Sequence, residues 1–306
     1  MPIFVTPQPI RATVELDVGN VWIIASDRTD TVVDVRPCDH RDPRDVVTSD
    51  QTRIDYAAGE LVVSVPKARD LSRAGGAVAI VIHLPSGSGL HGDAVSGEFR
   101  VDGRLGECRL ANDCGHIRLA RTGTLHLTSG LGNVTVDRVA GDARISADCG
   151  DVNVNGVEGA AVVTRTKGDT RIGEVLGDVR VVVDSGDIHL GVAHAGVEAK
   201  TGQGDIRVEE IVQGRQVLES ESGRLELGIA EGTEAQLDLD ARSGTVYRSL
   251  DLLAAPFGTS AYVAKIHART AIGDIVVHRS SVPDAGDGSG GVSDGVSDGT
   301  YDDGWG

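Results

Sequence analysis

The chain has 306 residues, of which 41 are glycine and only 3% are aromatic, and its formal net charge is −17 at pH 7. That charge disfavours nucleic acid and anionic membrane surfaces as partners, because both are themselves negative. No apolar run approaches the length of a membrane-spanning helix. The start of the chain also lacks a charged region followed by an apolar one, so we expect a cytoplasmic protein without membrane insertion.

Residues 1–95 alternate as β-strands do but contain no regular repeat. Strands are predicted at 12–18, 31–35, 60–66 and 77–84. The Asp-, Arg- and Pro-rich stretch 37–49 predicts an exposed loop, as does 67–76. Because the free end of a strand stack is normally covered, we expect this irregular β region to pair with and cover the repeats that follow.

Residues 96–280 repeat one phrase, in which a glycine and a polar residue precede alternating apolar and polar residues. Four clear copies start 18 residues apart, at Gly150, Gly168, Gly186 and Gly204. Two main strands and one short third segment, separated by glycine turns, predict one coil of a β-solenoid. The fold class is therefore all-β, a solenoid of about 18-residue coils. In the unit from Gly168, the inward residues are expected to be Thr170, Ile172, Val175, Val179, Val181 and Val183.

The C-terminal part departs from this period. After Gly223 the spacing lengthens, and an apolar, proline-broken insertion at 250–260 precedes a renewed strand pattern, which predicts an atypical C-terminal cap. Residues 281–306 are rich in Gly, Ser and Asp, which cannot build a core, so we expect a disordered acidic tail. This tail is either a solvating spacer or a docking segment that ends in Trp305.

The four cysteines have no zinc-like spacing. Cys114 and Cys149 occupy the same repeat position two coils apart, which is about 10 Å and beyond disulfide reach. We therefore expect free, buried or half-buried thiols, as is typical of a reducing compartment.

An aspartate follows the repeat glycine in consecutive units, at Asp151, Asp169, Asp187 and Asp205. Stacked coils would place these carboxylates about 4.8 Å apart. Such a column is a weak candidate for calcium, since hard cations take carboxylate oxygens. The alternative, which we favour, is that each aspartate bonds to the backbone of its own turn.

Arginine and histidine recur at outward positions of the predicted strands. The candidate binding residues are Arg118, Arg171, His189 and Arg207 on the first strand of each coil and Arg144 and Arg180 on the second. Such rows could bind an acidic ligand or partner. The alternative, which we favour, is a solvated face that pairs with nearby Asp and Glu.

Catalytic signatures are missing from the sequence. Its nine histidines form no metalloprotease motif, and it has neither a nucleophile elbow nor a phosphate-binding loop. We therefore expect no enzymatic activity and no cofactor.

The phrase Ser-Gly-Asp-Ile-His-Leu at 185–190 carries a family resemblance, together with Leu-Asp-Val-Gly-Asn-Val at 16–21 and Val-Ser-Val-Pro at 63–66. Over roughly residues 10–280 the chain resembles the bacterial putative-adhesin family, a domain-of-unknown-function family of β-strand repeats. The resemblance implies a solenoid of short strands, found in bacteria including actinobacteria. It offers no catalytic residues to carry over.

Three functions remain open at this point. The leading hypothesis is a non-enzymatic scaffold that presents a polar repeat face to a protein partner. The second is self-association through the solenoid ends, as in bactofilin-like structural proteins. The third, an adhesin or carbohydrate-binding protein, requires export of the chain.

Overall fold

The computed structural model describes residues 1–66, 75–249 and 262–280, and this part of the chain is nearly all β. The predicted apolar insertion at 250–260 and the predicted tail at 281–306 lie outside the described residues. Most of the predicted loop at 67–76 does so as well.

In the described residues before the regular coils, the structure has seven strands and a helix. They are β1 (Ile3–Val5), β2 (Arg11–Ser26), β3 (Asp30–Pro37), α1 (Pro43–Gln51), β4 (Arg53–Ala57), β5 (Glu60–Ser64), β6 (Val78–Pro85) and β7 (Gly89–Arg104). β2 runs parallel to β7 over almost its whole length, so the irregular region pairs with the first coils as expected. Antiparallel strands β3 and β4 are added on β6 and β5, where the ring centroids of Phe4 and Tyr56 lie 5.0 Å apart.

Helix α1 begins in the stretch 37–49 that was predicted to be a loop, so that prediction is wrong for residues 43–49. Asp42 is the N-cap residue and its Oδ1 accepts a hydrogen bond of 2.9 Å from the backbone N–H of Arg44. Pro43 supplies a preset φ at the first turn. These start signals were present in the sequence, but the helix is too polar to show an apolar periodicity.

The regular part continues with eighteen strands among the described residues. They are β8 (Cys108–Cys114), β9 (Ile117–Thr122), β10 (Leu125–Leu131), β11 (Val134–Val139), β12 (Ala143–Cys149), β13 (Val152–Val157), β14 (Ala161–Lys167), β15 (Thr170–Val175), β16 (Val179–Ser185), β17 (Ile188–Ala193), β18 (Val197–Gln203), β19 (Ile206–Ile211), β20 (Gly214–Ser222), β21 (Leu225–Ile229), β22 (Thr233–Ser243), β23 (Val246–Ser249), β24 (Tyr262–Ile272) and β25 (Ile275–Arg279).

These strands form two parallel ladders. From β9 onward, the odd-numbered strands follow the repeat glycine and make up ladder 1, and the even-numbered strands from β8 make up ladder 2. Up to β21, each strand pairs in parallel with the equivalent strand of the next coil, and the long strand β7 pairs with both β8 and β9. The third segment of the predicted coil is a bend, at 176–178 in the unit from Gly168.

One apolar core runs between the two ladders. It is built from the Val, Ile, Leu and Ala residues at alternate positions, as expected for half-buried strands. All six residues predicted to face inward in the unit from Gly168 are buried. Since both ladders contribute to the same core, their outward side chains lie on different faces of the molecule.

The repeat glycines allow the turns of adjacent coils to touch. Gly186 has a φ of +146°, and a Cβ placed on it would lie 1.9 Å from the carbonyl oxygen of Gly168. That distance excludes a side chain at position 186, because the tightly packed backbone of Gly168 cannot move far enough to relieve the clash. Close approach and positive φ together therefore explain this glycine.

The coils do not stack in chain order at the C-terminal end. β24 pairs with β20 on one side and with β22 on the other, and β25 lies between β21 and β23. Residues 262–279 are thus inserted between the coil of 214–229 and that of 233–249, which becomes the outermost one. The end is atypical as predicted, but the change of order was not foreseen.

All four cysteines are free, as expected. Cys108 is buried and Cys149 is half-buried, whereas Cys38 and Cys114 are exposed. The expectation of buried or half-buried thiols is wrong for these last two residues. Cys38 follows the end of β3 and Cys114 is the last residue of β8, so both lie at strand ends outside the alternating buried positions.

Candidate functional site

The first-strand candidates form one continuous row on ladder 1. In register, the row reads Trp22, Arg100, Arg118, Thr135, Asn153, Arg171, His189, Arg207 and Glu226. Neighbouring members are about 4.8 Å apart along the solenoid axis. The row places Arg171, His189 and Arg207 side by side, as the sequence predicted.

The second-strand candidates lie elsewhere. Arg144 and Arg180 belong to a row on ladder 2, separated from each other by Val162. Arg180 forms an ion pair of 3.3 Å with Glu198, and it lines a different cavity from Arg171. The six candidates therefore do not share one face, because the two strands of a coil lie on different sides of the core.

The aspartate column is held by hydrogen bonds between coils. The backbone N–H of Asp169 donates to Oδ1 of Asp151 at 3.1 Å, and that of Asp187 donates to Oδ1 of Asp169 at 3.0 Å. The same bond links Asp205 to Asp187 at 2.8 Å. The favoured interpretation, that each aspartate bonds to the backbone of its own turn, is therefore wrong. Each carboxylate bonds to the backbone of the next coil instead. Stacking of identical turns aligns each carboxylate with the N–H of the next coil.

This arrangement explains the aspartates without a cation. One oxygen of each carboxylate is already occupied by a backbone donor. Asn133, an amide with no charge, accepts the equivalent bond from Asp151 at 2.9 Å. Within the described residues, no group of three or more His, Cys, Asp or Glu side chains is placed to hold a metal ion.

A buried arginine lies directly behind this column. Arg165 occupies an inward position and is only 3% exposed. Its Nη1 donates to the carbonyl oxygen of Asp169 at 2.5 Å and its Nη2 donates to that of Lys167 at 3.0 Å. Burial lowers the pKa of Arg165, and the carboxylates of Asp151 and Asp169 oppose that shift. The guanidinium places a positive charge beside the column.

Sequence reasoning missed Arg165, although a signal was available. The residues in register with it on the adjacent strands are Ala147 and Val183, both buried. A charged residue at an inward position of a repeat breaks the apolar pattern, and buried charges require nearby partners. The position therefore pointed to a polar network at the adjacent turn.

A groove of about 250 Å³ lies between the aspartate column and the row on ladder 1. We call it the ladder 1 groove. Its charged and polar lining consists of Asp169, Thr170, Arg171, Asp187, His189, Asp205, Arg207, Arg224 and Glu226. The groove therefore presents a negative column and a mainly positive row next to each other.

His189 is fixed in the groove by both ring nitrogens. Arg171 Nε donates to Nδ1 at 3.4 Å, and Nε2 lies 2.8 Å from Oε1 of Glu209. Because a guanidinium can only donate, Nδ1 must accept, so neutral His189 carries its proton on Nε2. The contact orients the imidazole across the strands of ladder 1.

The comparisons with known proteins agree with the fold. The family model described as Toastrack DUF4097 matches residues 13–254. The resemblance to the putative-adhesin family that the repeat phrase indicated is thereby confirmed. No match is found among the curated proteins.

Three solved structures align with most of the chain. The first, described as a putative cell adhesion protein from Clostridium sporogenes, has 12% identity and a TM-score of 0.19, and the alignment covers 91% of this chain and 98% of that one. A putative adhesin from Bacteroides fragilis has 13% identity and a TM-score of 0.30, with 90% and 95% coverage. A putative adhesin from Parabacteroides distasonis has 13% identity and a TM-score of 0.29, with 91% and 95% coverage. At these scores the superpositions carry no further argument.

None of the helical segments in the described residues has the length and apolar character needed to cross a bilayer.

Proposed function

This chain belongs to the Toastrack DUF4097 family, and from that premise we propose that it is a non-enzymatic β-solenoid scaffold whose ladder 1 groove binds a protein partner. The observation that carries the proposal is the pairing of two columns of opposite character along several coils. Asp169, Asp187 and Asp205 lie on one side of the groove, and Arg171 and Arg207 lie on the other.

Such a groove suits a partner with charges of both signs. A protein segment bearing Lys or Arg beside Asp or Glu can pair with both columns at once. Nucleic acid and anionic membrane surfaces offer only negative charge, so the aspartate column would repel them. The absence of catalytic motifs from the sequence supports a binding role over an enzymatic one.

We propose that this function is carried out in the cytoplasm, since four free cysteines are typical of a protein from a reducing compartment. An adhesin or carbohydrate-binding role remains the alternative if the chain is exported. Fractionation of the native host distinguishes the two. Protein found only in the cytosol supports the scaffold, and protein at the cell surface supports the alternative.

The test compares charge reversal on the two faces. One variant carries Arg171→Glu and Arg207→Glu in the groove, and its matched control carries Arg144→Glu and Arg180→Glu on ladder 2. Both variants change the net charge equally. Affinity capture from the native host with mass spectrometry should lose the partner only in the groove variant. Equal capture by both variants would overturn the proposal.

A further inference from the structure

Five arginines gather on the outward face of ladder 1, near its N-terminal end. We call them the arginine cluster; its members are Arg100, Arg104, Arg118, Arg121 and Arg138. They lie on the three adjacent strands β7, β9 and β11, which together span about 10 Å. All five residues are exposed.

A β-bulge in β7 completes the cluster. Val101 pairs with Leu119, but the next paired residues are Arg104 and Arg121, so β7 contains one extra residue between these pairs. The bulge is built around Gly103, which has a φ of +90°. It brings Arg104 into register with Arg121 and, through β11, with Arg138. Bulges often re-aim side chains in this way beside functional sites.

The cluster is only partly neutralised by its neighbours. Arg100 forms an ion pair with Asp102 at 3.0 Å, and Arg138 forms one with Glu158 at 3.6 Å. Among the residues that the structure describes, Arg104, Arg118 and Arg121 make no ion pair. Like charges at cross-strand distance repel, so the cluster favours an anionic occupant.

We propose that the chain's own C-terminal segment, residues 281–306, docks on the arginine cluster. This segment contains six aspartates and no Lys, Arg, His or Glu. Its charge is therefore complementary to that of the cluster, whereas the rest of the chain carries a net negative charge. The segment also ends in Tyr301 and Trp305, and Trp22 already packs under the guanidinium of Arg100, 4.9 Å from it.

The segment is long enough to reach. It begins after Ser280, whose backbone N–H is anchored on the carbonyl oxygen of Ile229 at 2.9 Å. Eight strand spacings, or about 38 Å, separate β25 from β7 along ladder 1. A Gly-rich chain of 26 residues has an average end-to-end distance of about 26–30 Å and a maximum of about 90 Å. Tethering also raises the local concentration of the segment, which favours docking within one molecule.

This contact goes beyond the proposed function. The cluster lies on β7, β9 and β11, whereas the charged lining of the ladder 1 groove comes from β15 and later coils. A docked segment would cover the basic end of the same face.

The test is photo-cross-linking within the full chain. p-Benzoylphenylalanine is placed at Val292 or Val296, and cross-linked peptides are identified by mass spectrometry. We expect links within one chain to peptides of β7, β9 and β11. The yield should fall about tenfold when Arg104, Arg118 and Arg121 are all changed to Gln, and also in about 1 M salt, where exposed charge pairs are screened. Substituting all six aspartates of the segment by Asn should have the same effect.

A matched control carries Arg109→Gln, Arg144→Gln and Arg180→Gln on ladder 2, and its cross-linking should equal that of the unmodified chain. Thermal unfolding followed by circular dichroism checks that each variant is folded. Links to other faces, links only between two chains, or the absence of links would each overturn the proposal.

Discussion

Oδ1 of Asp187 accepts a hydrogen bond from the backbone N–H of Asp205, 2.8 Å away on the next coil of the solenoid. The bond ties a side chain to the turn above it and recurs along the aspartate column. It needs an acceptor at this position but not a negative charge, as Asn133 demonstrates. The Gly-Asp phrase is therefore explained by contacts between coils.

Removing this acceptor should weaken the solenoid. We expect Asp187→Ala to lower the free energy of unfolding by about 1 kcal/mol, because the N–H of Asp205 loses its partner. Asp187→Asn should stay close to the unmodified protein, since an amide oxygen accepts the same bond. Urea denaturation measures both values. A matching loss in the two variants would show that the charge, and not the acceptor, matters.

Calcium should not change the thermal stability of the unmodified protein. If the column is structural, millimolar calcium gives no rise in the melting temperature, because a ligand that binds the folded state must stabilise it. Differential scanning calorimetry with calcium and with a chelator makes the comparison. A rise that disappears in Asp169→Asn/Asp187→Asn would establish a cation site.

Gly186→Ala should cost far more than Gly59→Ala. Both glycines have positive φ, but a Cβ on Gly186 would overlap the carbonyl oxygen of Gly168, whereas nothing lies within 4 Å of one on Gly59. We expect a loss of about 3 kcal/mol or more at Gly186 and about 1 kcal/mol at Gly59. Chemical denaturation of the two variants decides the point. Similar losses would mean that φ alone constrains Gly186.

Alkaline pH should destabilise the protein through Cys108. Burial raises the pKa of this thiol to about 12, whereas an unfolded cysteine ionises near pH 8.5–9. Between about pH 9 and 12 the unfolded state has lost a proton that the folded state keeps. The free energy of unfolding should therefore fall by about 1.4 kcal/mol per pH unit relative to Cys108→Ala. Parallel pH profiles for the two proteins would contradict this.

The outermost coil should not drive assembly. β22 pairs with β24 alone among the described strands, and its outward residues include Glu234, Asp238 and Asp240. Acidic residues along a strand edge oppose pairing with a second copy. We expect light scattering to give a monomer mass that is independent of concentration. Glu234→Gln/Asp240→Asn should associate more readily, and self-association of the unmodified chain would support the filament hypothesis instead.

The sequence predicted the coils well because their period and alternation are local signals. The inward positions Ile172 and Val181 follow directly from spacing and alternation. The insertion of 262–279 between two earlier coils could not be predicted, since equivalent strands of a repeat pair almost equally well in several orders. Which strands pair at the C-terminal end of the solenoid depends on how much apolar surface each order buries there.

The site was predicted only in part, for a related reason. Register follows from the period, so the row of Arg171, His189 and Arg207 could be foreseen. That Arg180 lies on another face depends on how the coil closes, which no local pattern specifies. The extra residue in β7 that aligns Arg104 with Arg121 is likewise a feature of pairing between strands.

The most direct test of the scaffold proposal is photo-cross-linking from the two faces of a single coil. p-Benzoylphenylalanine at Asn153 reports on ladder 1 beside Arg171, and the same group at Val162 reports on ladder 2. Both positions are half-buried and outward, so they are matched in exposure. We predict that irradiation of cells links a partner protein at Asn153 and none at Val162. Links at Val162 alone, or equal links at both positions, would contradict the proposal.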